Sequence, residues 1–307
     1  MNREQVNQWL DRYAETHTKD TSRNALVRWL REAETDPGHL APLDIQEFLD
    51  NTQSRRGYVT ARNVGFLQKI FREMMQAGHD TSESLASLDE VTHHFNPVGY
   101  YSDLSDLMDT LHEGLWIDDT VRWGHWQRIV LGAYLLWFGF SVGEIIDLKK
   151  SEVRFTRRDD KPAVKIRDKI IRHPEVVEEF RRFSKALSYV VFRKGTARVM
   201  DYAATEFFMK TSQGHLSEPG FRYELSRAGA EVESVTGNTL QTLPLRESAI
   251  FVRARYLLRQ EGVNRLPDFK GSFHVRPMLR DIFQTQNAPY LKARMEAYRA
   301  WEQYFYS

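Results

Sequence analysis

Arginine carries the forked donor set that matches a phosphate, and this chain concentrates it late. Arg246 opens a helical stretch bearing Arg253, Arg255 and Arg259, with Arg265, Lys270, Arg276 and Arg280 behind it. That density exceeds what a neutral scaffold requires and points to a phosphodiester backbone. For Arg246 itself the competing reading is a structural ion pair with Glu144 or Glu247. A second basic concentration, Arg55, Arg56, Arg62, Lys69 and Arg72, lies in an otherwise acidic segment, where a solvated helix face is the readier explanation. His93 and His94 stand side by side, with no carboxylate or third histidine at ligand spacing, so no metal is expected. The chain has no cysteine, which excludes disulfides, thiolate zinc sites and cysteine nucleophiles. No cofactor is called for.

The charge is uneven along the chain. Residues 1–125 carry 12 Lys and Arg against 21 Asp and Glu, a net of −9, whereas residues 126–307 carry 31 against 21, a net of +10. Such a split suits a basic part that meets nucleic acid, although a basic domain resting on an acidic neighbour gives the same numbers. A length of 307 residues sets two domains as the expectation. No apolar run approaches the roughly 20 residues of a membrane span, and the first ten residues lack a secretory signal, so the expected address is cytoplasmic with no membrane partner.

The elements that would hold these residues follow from periodicity. Val6, Trp9, Leu10 and Tyr13 make the first of four helical stripes before Gly78, the others running through Leu26–Leu30, Leu43–Leu49 and Tyr58–Met75. Between His79 and Asp103 the periodicity is lost, and turn formers mark a boundary. Residues 1–90 are therefore expected to form a helical domain, 91–103 a linker, and 104–307 a second domain with a C-terminal tail. In the second domain, Ile129–Phe140 reads as a buried core helix. Val153–Phe155, Lys161–Ile166 and Ile170–Ile171 read as short strands joined by charged turns. Helices are expected again near 175–187, 203–210, 220–232 and 245–260. The fold class is mainly α with one small antiparallel sheet.

Two stretches carry a resemblance. Leu135-Leu-Trp-Phe-Gly139-Phe-Ser141-Val-Gly-Glu144, continuing to Leu148, resembles the first conserved box of the tyrosine recombinases, the phage-integrase superfamily. There an apolar helix ends in Thr-Gly-Leu-Arg-x-Ser-Glu ahead of a three-stranded hairpin. Leu243-Pro-Leu245-Arg246-Glu-Ser-Ala249 is similar to that family's second box, His-x-Leu-Arg-His-Ser/Thr-x-Ala, with the alanine one place early. The resemblance covers about residues 1–275. It implies a recombinase-like catalytic-fold domain preceded by a four-helix core-binding domain of SAM-like type.

The family cleaves DNA by attack of a tyrosine on the scissile phosphate. Two arginines stabilise the growing charge, and a lysine and histidines move protons. Arg246 matches the second arginine, and Lys169, or failing it Lys165, falls where the lysine would lie. Ser141 stands at the first arginine and Leu243 at the histidine, and a leucine transfers no proton. Between Phe269 and Pro289 there is no tyrosine. The tail tyrosines Tyr290, Tyr298, Tyr304 and Tyr306 lie on an aromatic face suited to packing, in this subunit or a neighbour, or one of them is a displaced nucleophile. No catalytic residue is therefore expected. The chain resembles prophage-encoded repressors built on the integrase fold, which implies a bacterial, sequence-specific regulator of double-stranded DNA acting in lysogeny. Its DNA-binding residues would be Arg246, Lys169, Arg253, Arg255, Arg55, Arg56, Arg62 and Lys69, with self-association through the tail. The alternative is a divergent but active recombinase.

Overall fold

The computed structural model describes residues 3–16, 21–52, 59–90, 97–158, 161–193, 196–267, 269 and 271–306. The described chain is mainly helical with small antiparallel sheets, and it separates into two compact units. None of its helices is long and apolar enough to cross a membrane.

The first unit takes the residues up to Asn96 together with Lys292–Tyr304. Its helices are α1 (Arg3–Thr16), α2 (Thr21–Glu32), α3 (Pro42–Thr52), α4 (Val59–Gln76) and α5 (Ser82–Glu90). Val6, Leu10, Leu26, Leu30, Ile45, Leu49, Leu67 and Phe71 bury the stripes of the first four in one core. The fifth helix corrects the reading of His79–Asp103 as non-helical. Its nine residues include just two leucines, Leu85 and Leu88, too few to display a period, and Leu88 is buried in the same core. Asp80 starts it by accepting the Ser82 N–H at 3.0 Å, and the Thr81 hydroxyl donates to the Phe71 carbonyl at 2.7 Å. Tertiary packing, more than local periodicity, makes this helix.

The second unit comprises Pro97–Leu291 with Phe305–Ser307. Its axis is α7 (Thr120–Trp137), buried almost throughout from Trp123 onward. Around it lie α6 (Leu104–Leu115), α8 (Val142–Ile146), α9 (Pro174–Lys185), α10 (Glu218–Thr236), α11 (Thr242–Gln260) and α12 (Arg276–Ile282). Gly132 of α7 admits the Phe221 ring of α10, since a Cβ there would stand 2.3 Å from a ring carbon. Residues 97–103, read as linker, belong to this unit, and Tyr100 and Tyr101 are buried in it. The last helix, α13 (Ala288–Tyr306), gives Lys292–Tyr304 to the first unit and its two ends to the second.

β1 (Val153–Arg158), β2 (Lys161–Ile166) and β3 (Lys169–Ile171) form the expected antiparallel sheet in sequence order. Two further hairpins were not foreseen: β4 (Ser188–Arg193) with β5 (Thr196–Asp201), and β6 (Lys210–Thr211) with β7 (Gly214–His215). The helix expected over 203–210 is absent. The segment is an irregular loop with bends instead, held by a bridge between Phe207 and Lys149 and by the Phe208 N–H on the Leu148 carbonyl at 2.7 Å.

Candidate nucleic-acid interface

The interface grows from the end of α7. Phe138 caps the helix, Gly139 turns the chain at a φ of +83°, and Phe140 goes back into the core. Ser141 then caps α8. Its hydroxyl accepts the Glu144 N–H at 3.2 Å, while the Glu144 carboxylate accepts the Ser141 N–H and hydroxyl, each at 2.7 Å. This reciprocal capping box holds the Glu144 carboxyl below its ordinary range, first through the Ser141 N–H and then through the hydroxyl.

Strand register separates the two lysines. Residues paired across strands share a face, and Val164, Ile166 and Ile171 bury the inner one. Lys169 pairs with Ile166 and shares that inner face, whereas Lys165 pairs with Arg154 on the solvent face. The Lys169 ammonium donates to the Phe138 carbonyl at 2.8 Å and lies 4.3 Å above the Phe140 ring. A Cβ on Gly139 would come within 3.2 Å of it. Burial holds Lys169 below the usual lysine range, and the charge of Arg246 adds to this effect while Glu144 and Asp168 oppose it.

Arg246 sits in the first turns of α11, half-buried. Neither pairing considered for it forms. Glu144 is engaged by Ser141, and Glu247 is buried and accepts the Tyr100 hydroxyl at 2.5 Å. Among the described residues Arg246 has no hydrogen-bond or ion-pair partner. Lys169 therefore touches the first sequence box and feels the charge of the second.

The remaining candidates divide. Arg253 is exposed and seven residues beyond Arg246, about two turns and roughly 10 Å along the same face of α11. Arg255 is nine residues beyond, about half a turn out of phase, on the opposite face. Its guanidinium covers the Tyr306 ring. Lys69 is exposed on α4 and 3.7 Å from Glu73. Arg55, Arg56, His93, His94 and Lys270, with the side chain of Arg62, lie outside the described residues. Leu243 is half-buried near the start of α11. Among the described residues no group of three or more His, Asp and Glu could hold a metal.

Two features were missed at the sequence level. Arg167 reaches the site from the β2–β3 turn, 3.7 Å from Glu144. On the solvent face of the sheet, Arg154 and Lys165 stand opposite each other, both exposed. Like charges directly opposed across strands destabilise a sheet unless an anion meets them.

No family model matches the chain, and no curated protein matches it. Among solved structures, the Tn1549 transposon integrase in complex with a circular intermediate DNA is similar. It shows 13% identity, coverage of 98% of this chain and 99% of that one, and a TM-score of 0.42. The same integrase with transposon right end DNA shows 14% identity, the same coverage and a TM-score of 0.40. At such scores the fold has to be argued from this chain's own residues.

Proposed function

We propose that this chain is a sequence-specific regulator that binds double-stranded DNA on a tyrosine-recombinase-like fold without cleaving it. The observation that carries the reading is Lys169 beside the Gly139 turn, feeling the charge of an Arg246 that has no hydrogen-bond or ion-pair partner among the described residues, where Ser141 caps a helix in place of a guanidinium. Two cations so placed hold a phosphate oxygen by charge and hydrogen bonding, and Arg253 extends the surface along the same helix face.

Cleavage asks for more. Removing one donor to a developing oxyanion typically costs about 100- to 1000-fold in rate, and here Leu243 also lacks a transferable proton. The Tyr306 hydroxyl is bound to the Ser102 carbonyl, and the Tyr298 hydroxyl to Glu302, both at 2.8 Å. A clamp without chemistry is suited to occupying an operator.

The test has two arms. Mobility shift against fragments of the neighbouring genome should give a discrete, salt-sensitive complex on a subset of them. A suicide substrate carrying the bound sequence should give no covalent adduct. An adduct lost on changing one tail tyrosine to phenylalanine would replace this reading with that of an active recombinase.

A further inference from the structure

Arg167 is the first of two residues joining β2 to β3, and its φ is +54°, a region that a side chain as large as arginine enters at a cost. Its N–H donates to the Glu152 carbonyl at 3.2 Å and its Nε to the Glu152 carboxylate at 2.9 Å. Its Nη1 lies 3.7 Å from Glu144. Two carboxylates from two elements therefore aim one guanidinium at the Ser141–Glu144 turn. Glu144 also bears electrostatically on Lys169, and Lys169 feels Arg246. Arg167 and Lys169 thus both act on Glu144, and Lys169 also feels Asp168 and Arg246.

Position 141 lacks a forked donor, and the β2–β3 turn brings one to within 3.7 Å of the Glu144 carboxylate that Ser141 binds. We infer that Arg167 supplies the phosphate contact missing at Ser141. The inference rests on the DNA-binding reading above. On DNA, Arg167 keeps its Nε on Glu152, which fixes the plane of the fork. Its Nη edge leaves Glu144 for a phosphate oxygen. The Glu144 contact is longer than a hydrogen bond and sits on a half-exposed carboxylate, so little is lost in the exchange.

The competing account makes Arg167 a strap that merely ties the turn to Glu152. Arg167→Asn separates the two, because asparagine tolerates a positive φ and so preserves the turn while removing the charge. Arg167→Gly repeats the test with a residue that has no conformational objection. Affinity for a mixed-sequence duplex is measured against salt for these variants, for Arg167→Lys, and for Arg246→Ala and Lys169→Ala. Arg167→Asn and Arg167→Gly should bind about tenfold more weakly, with the slope of log affinity against log salt reduced by about one contact's worth, ~0.9. Arg167→Lys should recover the slope. Wild-type affinity and slope in the asparagine and glycine variants, alongside losses in Arg246→Ala and Lys169→Ala, would overturn this inference and leave the DNA-binding reading standing. No change in any variant would overturn both.

Discussion

The Arg255 guanidinium lies 3.3 Å above the centre of the Tyr306 ring, while the Tyr306 hydroxyl donates to the Ser102 carbonyl at 2.8 Å. The end of α13 is thereby fastened to α11 and to the segment that enters α6. Burial raises the Tyr306 hydroxyl above the usual tyrosine range, against the opposing charge of Arg255. Since Arg255 is half a turn away from Arg246, the contact uses the face of α11 that the proposed DNA surface leaves over. Tyr306→Phe should cost roughly 0.5–1.5 kcal/mol of stability, the net worth of one hydrogen bond, and Arg255→Ala should also lower the melting temperature. Neither should change the salt slope of DNA binding. A reduced slope in Arg255→Ala would return Arg255 to the DNA surface.

The capping role of Ser141 yields a second prediction. Ser141→Ala removes the acceptor for the Glu144 N–H and should destabilise by about 1 kcal/mol in chemical denaturation. Ser141→Arg should lose the same cap and still form no covalent adduct on a suicide substrate, because Leu243 is unchanged. Strand cleavage by Ser141→Arg would show that one arginine alone separates this chain from an active recombinase.

Gly139 supplies a third. Its φ of +83° and its approach to Lys169 both disfavour a side chain. Gly139→Ala should cost about 1–2 kcal/mol in stability through the left-handed backbone alone. The added methyl also presses on the Lys169 ammonium, 3.2 Å away, so DNA affinity should fall as well. A variant with lowered stability and unaltered affinity would detach the Gly139 turn from phosphate binding.

Legibility differed with the range of the interactions. The α7 stretch and the three-stranded hairpin were readable because their signals are local: an apolar run, and strand-like segments between charged turns. α5 was unreadable because two leucines do not make a period, and Ala203–Lys210 misled because its composition suits a helix while its backbone is paired with Lys149 and Leu148. Lys169 could not be separated from Lys165 without register, for a shift of one residue exchanges the faces of a strand. Arg167 gave no signal of its own, since its importance comes from Glu144 and Glu152, 23 and 15 positions earlier in the chain.

Lys210 offers a prediction in pH. It opens β6 with 7% of its surface exposed, donates to the Ala186 carbonyl, and lies 4.8 Å and 5.3 Å from the Tyr202 and Phe183 ring centres. Among the described residues it has no carboxylate partner. Burial, with a smaller contribution from Lys150, pushes its ammonium down to about 8. An unfolded lysine titrates near ~10.4, so between pH 8 and that value the unfolded chain binds more protons than the native one. Stability contributed by this group therefore rises with pH across that window; below it the full cost of burying the charge is present, and above it the cost is gone. The gain is at most about 3 kcal/mol, and smaller to the extent that water reaches the ammonium. Lys210→Met keeps the apolar stem against the two rings and removes the titration. Urea denaturation of both proteins from pH 7 to pH 10 should show wild type gaining on Lys210→Met. A constant difference between them would mean that Lys210 stays protonated throughout and that its aromatic surroundings accept the charge.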